Sequence, residues 1–370
     1  MKRPDFKSPL ARTLIAATVL APLGLSMAQN ARAEGVAKGP YAMMPSTTAI
    51  TVCWVSDEEA SGTVQYGIGS ISGRGAKTAK ESKSTRYHRV ILTGLRPYTR
   101  YTYAVTCQGQ TKPGTFITAA PPNQPFKFVA YGDTRTQPNK HAEVLAQVQK
   151  FQPDFVIQTG DQVASGSNES QWTEFWRVAS PIFSQTVYYP ELGNHEDHAA
   201  PYFRYFNVPA EYSFDYGNIH FVALDSNRPE SENAAQEAWL KKDLAAHQNA
   251  TWRIVFFHHS IYTSVTIKQR HKDAALLRAR LEPIFLAEKV QLVITGHDHG
   301  YQHHFARGIH YIGSGGGGAP LYDFVADTPE TKLVKKAHHE CEVTVNGATL
   351  TMRVVEPGGS VIEQFSVNAR

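Results

Sequence analysis

FKFVAYGD at residues 126–133 and VQLVITGHDH at residues 290–299 decide how this chain folds. In each, an apolar run of strand length stops at a glycine and gives way to Asp or His. The same grammar recurs three times between them, in DFVIQTGD at 154–161, VYYPELGNH at 187–195 and WRIVFFHH at 252–259. Each run predicts a buried strand. The residues that follow are Asp133, Asp161, Asn194 with His195, His258 with His259, and His297 with His299. An open sheet leaves its ligand crevice at the ends of such strands. Carboxylates, an amide oxygen and imidazoles gathered there suit hard-to-borderline metal ions. Two such ions about 3.5–4 Å apart form a clamp for in-line displacement at phosphorus.

Between the strands lie helical patterns. HAEVLAQVQKF puts Val144, Leu145 and Val148 on one face, and SQWTEFWRVASPIF, ENAAQEAWLKKDLAAH and KDAALLRARLEPIFLAE read the same way. YSFDYG and NIHFVALD form a hairpin, and after His299 the chain returns to strands in GIHYIGS, ECEVTVNGATLTMRVV and VIEQFSV. This mixture predicts an α+β fold, two packed sheets with helices outside. Residues 36–120 read differently. ITVCWV, GTVQYG, RYHRVILTGL and TRYTYAVTC are strands separated by Gly, Pro and Ser turns, with no helical period among them. They predict a small all-β sandwich ahead of a second domain over 126–370, with Thr118–Pro122 as the linker.

The order of polar blocks resembles the calcineurin-like metallophosphoesterase superfamily, whose pattern is Asp-x-His, Gly-Asp, Gly-Asn-His-Asp/Glu, a lone His and Gly-His-x-His. A single Gly-Asp is common, whereas five blocks in order across 126–315 are specific. The stretch Leu95-Arg96-Pro97-Tyr98-Thr99-Arg100-Tyr101 resembles the corner of fibronectin type III domains, and with Trp54 it suggests that sandwich. A fibronectin-like domain before a metallophosphoesterase domain is similar to purple acid phosphatases and their bacterial relatives. The resemblance implies two metal ions, drawn from Fe, Zn or Mn. It implies Asp133 at the first ion, Asp161 bridging both, Asn194, His258 and His297 at the second, and His299 at the first. His258 is preferred over the adjacent His259 because it aligns with the family's lone His. His195 faces the substrate as acid or charge stabiliser. The implied reaction is phosphomonoester hydrolysis by a metal-bridging hydroxide. Two alternatives stand beside it: a phosphodiesterase or nucleotidase on the same site, and a binding protein or inactive relative with an incomplete first ion position.

The incompleteness is specific. Arg135 stands where the family's first block has a His ligand, and a guanidinium does not ligate. Ala164 stands where purple acid phosphatases place a metal-bound Tyr, three residues beyond the bridging Asp. His141 is one candidate to complete that position; the other reading is an ordinary exposed His in a first helical turn. Arg135 is either a phosphate-binding fork or half of a salt bridge. His303 and His304 either line the pocket or sit at the surface. Gly315–Gly318 lacks the Lys-Ser/Thr of a phosphate loop and reads as backbone passing close to the site.

Residues 1–33 read as a signal peptide. Basic residues at Lys2, Arg3, Lys7 and Arg12 precede LIAATVLAPLGLSMA, and Ala31-Arg32-Ala33 is a small-x-small cleavage pattern. Export to the periplasm or medium follows, with no membrane span after cleavage. That segment holds five of the 37 basic and one of the 33 acidic residues, so the remainder carries 32 of each. No net basic field remains to recruit nucleic acid, and a small phosphoester is the expected partner. Period-2 alternation puts Cys53 on the face opposite Ile50, Val52 and Trp54, while Cys107 shares the core-facing parity of Tyr101, Tyr103 and Val105. Cys53, Cys107 and Cys341 are therefore expected as free thiols.

Overall fold

The computed structural model describes residues 35–369 apart from Pro229 and Asp327. The proposed signal peptide at 1–33 lies outside the described residues. Two large sheets face each other. The first has nine strands in the order Val361–Asn368, Thr349–Val355, Glu340–Asn346, Phe126–Tyr131, Phe155–Gln158, Val187–Pro190, Lys38–Met43, Ala49–Ala60 and Thr85–Thr93. The second has seven, ordered Tyr212–Tyr216, Ile219–Leu224, Trp252–Phe257, Leu292–Thr295, Ile309–Ser314, Tyr301–Ala306 and Thr331–Lys335. The centre of each sheet is parallel, which is why those strands are apolar on both faces.

Aromatic rings fill the space between the sheets. Phe155 meets Phe221 edge-on at 5.6 Å, and Tyr189 stacks on Phe214 at 3.7 Å. Helices cover the outer faces. Pro138–Phe151 and Glu169–Phe183 bury Val144, Leu145, Val148, Trp172 and Trp176 on the nine-stranded side. Asn233–Ala246 and Lys268–Ala287 bury Leu240, Leu244, Leu281, Ile284 and Phe285 against Val222, Val255 and Val293 on the other. The fold is the expected two-sheet sandwich flanked by helices.

The N-terminal strands do more than precede it. Lys38–Met43 runs parallel to Val187–Pro190, with Ala42 opposite Val187. Strands from the 36–120 segment thus extend the nine-stranded sheet, and a four-stranded sheet completes that segment (Lys77–Lys80, Gly62–Ile68, Arg100–Cys107, Gln110–Ile117). Tyr101 closes the corner read from the sequence: its hydroxyl accepts the Arg96 N–H at 2.9 Å. Cys53, Cys107 and Cys341 are free and buried. Burial pushes the Cys53 thiol up to about 12, so it is inert at neutral pH. Among the described residues no helix is long and apolar enough to cross a membrane.

Candidate metal centre

The parallel strands of both sheets end on one rim, and each delivers a side chain to it. Phe126–Tyr131 leads to Asp133, Phe155–Gln158 to Asp161, Val187–Pro190 to Asn194, Trp252–Phe257 to His258, and Leu292–Thr295 to His297 and His299. The turns are tight. Asp133, Asp161 and His297 hold positive φ of 59°, 57° and 68°. For residues other than glycine this costs about 1–3 kcal/mol each and is typical of functional sites. Glycines let the turns approach: a Cβ on Gly315 would meet the Asp298 carbonyl oxygen at 2.5 Å and Asp133 Oδ2 at 2.9 Å. Gly315–Gly318 is therefore the close backbone pass read from the sequence.

Donor atoms of Asp133, Asp161 and His258 lie within 4.8 Å of one another. His258 Nδ1 is 2.8 Å from the Thr159 carbonyl and donates to it, leaving Nε2 as a lone pair. That lone pair faces Asn194 Oδ1 at 3.0 Å, His297 Nδ1 at 3.0 Å and Asp161 Oδ1 at 3.3 Å. Asp133 Oδ1 is buried with no hydrogen-bond partner. Carboxylate, amide and imidazole lone pairs crowded together in this way, one of them buried without a partner, are costly unless a cation neutralises them. The residues present therefore fit a metal ion, and the position expected to be second is the well-built one. Burial, with His259 and His258 beside it, holds the His297 imidazole well below its ordinary pKa, in the neutral form that ligates.

His258 rather than His259 joins this group. His259 turns to Ser226, 2.8 Å from its Nδ1. His195 sits at the rim, partly exposed. Its Nδ1 donates to the Ala164 carbonyl at 2.8 Å, and its Nε2 looks across to Asp161 Oδ2 at 3.8 Å. Arg135 enters the centre. Its Nε donates to Asp161 Oδ2 at 3.2 Å, and its Nη2 donates to His299 Nε2 at 3.2 Å. Burial alone would raise the Asp161 pKa, yet His258, His195 and Arg135 together bring it below the ordinary carboxylate value.

The expectation that His141 completes the first position needs correction. His141 is buried, and its Nε2 meets the Tyr131 hydroxyl at 3.1 Å while its ring stacks on Phe175 at 5.8 Å. Its helix starts at Pro138, and that start turns the ring into the gap between helix and sheet, where burial lowers its pKa to about 3. His303 and His304 also differ from both readings given above. They are buried in a strand, His303 between Glu363 and His310, and His304 beside Tyr262.

Glu196 was missed as a working residue, although it is the acid of the Gly-Asn-His-Glu block. It is fully buried, and its carboxylate accepts the N–H groups of Asp161 at 2.9 Å, Gly193 at 2.9 Å and Val163 at 3.1 Å. It ties the second and third ligand loops together. Burial first, then the nearby Asp161 charge, raise its pKa to about 8.

Comparison with known proteins matches both parts of the chain. Residues 126–301 match the calcineurin-like phosphoesterase family, and residues 40–119 match the purple acid phosphatase N-terminal domain. Probable purple acid phosphatase 20 of Arabidopsis thaliana is 27% identical over 280 residues, 68% of this chain and 65% of that protein. Purple acid phosphatase 18 of the same plant is 27% identical over 278 residues, 68% of this chain and 62% of that protein. The chain thus spans just under two thirds of the length of these relatives. Among solved structures, a purple acid phosphatase from yellow lupin (Lupinus luteus) seeds superposes with a TM-score of 0.76 at 21% identity, covering 90% of this chain and 74% of that one. PhoD superposes with a TM-score of 0.71 at 14% identity, covering 92% of each chain. At these identities the two structures speak for the fold.

Proposed function

From a chain that belongs to the calcineurin-like metallophosphoesterases and carries the purple acid phosphatase N-terminal domain, we infer a metal-dependent hydrolase of small phosphate monoesters. The observation that carries this reading is the convergence of ligand atoms of Asp133, Asp161 and His258 within 4.8 Å, with Asn194 Oδ1 and His297 Nδ1 each 3.0 Å from His258 Nε2 and Asp133 Oδ1 buried without a partner. Asp161, Asn194, His258 and His297 would hold an ion at the second position, and Asp133, Asp161 and His299 are the side chains available at the first. Bound metal supplies Lewis acidity toward phosphoryl oxygen and an activated water.

The chain's own residues do the rest. Asn194 adds a neutral oxygen, which limits negative charge in front of an anionic substrate. Thr159 and Pro320 carbonyls fix the tautomers of His258 and His299, so both present bare Nε2 atoms to the centre. His195 presents Nε2 to the rim with Nδ1 committed to Ala164. It is placed to hold a proton for the departing oxygen. Arg135 offers a fixed positive fork to phosphate oxygens.

We read residues 1–33 as an export signal, on the basic start, apolar run and Ala-x-Ala site. N-terminal sequencing of the exported protein should begin near Glu34.

The test is a panel on the purified chain loaded with Mn, Zn or Fe. p-Nitrophenyl phosphate should be hydrolysed and its bis-ester poorly. Chelation should abolish turnover and metal should restore it. Preference for the bis-ester would favour the phosphodiesterase reading. Metal binding without turnover on either ester would favour a binding protein.

A further inference from the structure

We propose that the Arg135 guanidinium fills the first ion position, so that this chain holds one resident metal ion rather than two. The proposal rests on the metallophosphoesterase reading above and changes its inventory. Three observations carry it.

First, the guanidinium already occupies the atoms that a first ion would need. Nε donates to Asp161 Oδ2 and Nη2 donates to His299 Nε2, both at 3.2 Å. His299 Nδ1 is committed to the Pro320 carbonyl at 2.6 Å, so Nε2 is its free lone pair and Arg135 takes it. The side chain of Arg135 is only 13% exposed, which fits a group placed in the site rather than waving over it.

Second, Asp161 divides its two oxygens between unlike partners. Oδ1 faces the His258 lone pair at 3.3 Å and accepts the His195 N–H at 3.0 Å. Oδ2 faces the guanidinium. In a bridging role both oxygens would face clusters of lone pairs. Here only one does, and the other carries an ion pair that is 1% exposed on the carboxylate side.

Third, no further ligand is at hand among the described residues of this corner. Position 164 is Ala, position 135 is the arginine itself, and His141 is turned toward Tyr131 and Phe175. Asp133 Oδ2 accepts the His297 N–H at 2.8 Å, and its Oδ1, which makes no hydrogen bond, lies 3.4 Å from His299 Nε2, beside the atom that the guanidinium takes. Asp133, Asp161 and His258 also each offer one ligand atom to the well-built position.

The substitution is chemically coherent. Guanidinium is permanently charged and cannot lose its proton in a protein. It supplies positive charge and N–H donors where an ion would supply positive charge and open coordination. A phosphate monoester dianion would then lie between one metal ion and Arg135, with His195 at the rim. The organic group of the ester has room beside them. Arg135, Ala164, His141 and Phe175 border a cavity of about 260 Å³.

The experiment is metal counting with spectroscopy on the full purified chain, using Mn(II) as the probe. Wild type should bind one tight Mn(II) per chain and give the paramagnetic resonance signal of an isolated ion. Arg135→His, which restores the Asp-x-His block, should bind two and give the signal of a spin-coupled pair. Arg135→Gln, which removes the charge and keeps a donor, should move the same way through a weaker second site. Wild type with two tight, spin-coupled ions would overturn the proposal, whether or not the variants fold. A single ion in wild type that stays single in folded Arg135→His would also overturn it. Wild type that binds no Mn(II), Zn(II) or Fe would instead remove the metal-dependent reading on which the proposal stands.

Discussion

Asp161 is the residue on which the centre turns. Its backbone is held by Glu196, its Oδ1 by the His195 N–H, and its Oδ2 by Arg135. Asp161→Ala should therefore lose the bound ion and all turnover, while Asp161→Asn should keep the fold and bind the ion weakly. Metal analysis of Asp161→Ala showing wild-type content would contradict its assignment. His195 works differently, because its side chain reaches the ligand group only at 3.8 Å. His195→Ala should leave metal content intact and lower turnover by about a hundredfold to ten-thousandfold, the usual worth of a general acid. Unchanged turnover on both an aryl and an alkyl phosphate would refute that role. These two side chains were legible in the sequence because each ends an apolar run in a family-like block. Glu196 was less so: an acid in a motif says nothing of which N–H groups it will meet. The His141 expectation failed for a related reason. Helix phase at Pro138 decides whether that ring faces the site or the core, and spacing from Asp133 does not encode it.

At the scale of elements, Glu196 joins loops from two strands through three buried N–H groups. Glu196→Ala would orphan all three, at about 1–3 kcal/mol for each unsatisfied group. Its thermal midpoint should fall sharply and its ion affinity with it, measurable by calorimetry on the loaded and metal-free chain. A second clamp lies on the Tyr212–Tyr216 and Ile219–Leu224 hairpin. His220 Nδ1 pairs with Asp215 and its Nε2 with Asp243 on the neighbouring helix, each at 2.8 Å, while His247 stacks on the ring at 3.6 Å. Burial would lower the His220 pKa, but hydrogen bonds to Asp215 and Asp243 override it and raise the value. A raised folded pKa means that stabilisation from His220 is full below the ordinary value, about 6.5, and fades as pH rises through the folded value. The hydrogen bond from His220 lowers the Asp215 pKa; burial would raise that of Asp243, but the His220 bond and charge, the Ser213 bond and the His247 charge together lower it. Their contribution is present above about 3.9 and is lost as pH falls through the depressed values. His220→Gln should thus lower the unfolding midpoint more at pH 5 than at pH 9. An equal loss at both would show that His220 acts by packing alone.

At the scale of the whole molecule, the N-terminal segment is part of the main sheet. Besides the strand pairing at Ala42 and Val187, Tyr41 stacks on Trp176 at 4.4 Å, and the Tyr98 hydroxyl donates to Asp154 at 3.1 Å. Removing residues 34–120 would strip Val187–Pro190 of a partner and bare Trp176, leaving an open apolar edge of the kind that aggregates. A chain of residues 121–370 should therefore be insoluble or lack a cooperative melt, whereas residues 34–370 should melt as one unit. A soluble, cooperatively folding 121–370 would show that the seam is dispensable.

The sequence by itself determined the strands that carry the site, the helices beside them and most of the Asp, Asn and His side chains gathered at the rim. Apolar runs of fixed period followed by Gly and a donor residue are local signals, written in consecutive residues. It did not determine Ala200–Phe206 as a helix, Tyr301–Ala306 as a strand, or Lys38–Met43 as a strand of the main sheet. Short aromatic or polar stretches take their conformation from the surfaces that bury them, and strand order is a matter of long-range pairing. The tertiary structure alone decided which lone pairs face one another, that His141 serves the core, and that Arg135 lies between Asp161 and His299. Those outcomes depend on distances between residues far apart in the chain, set by how two sheets close on a common rim.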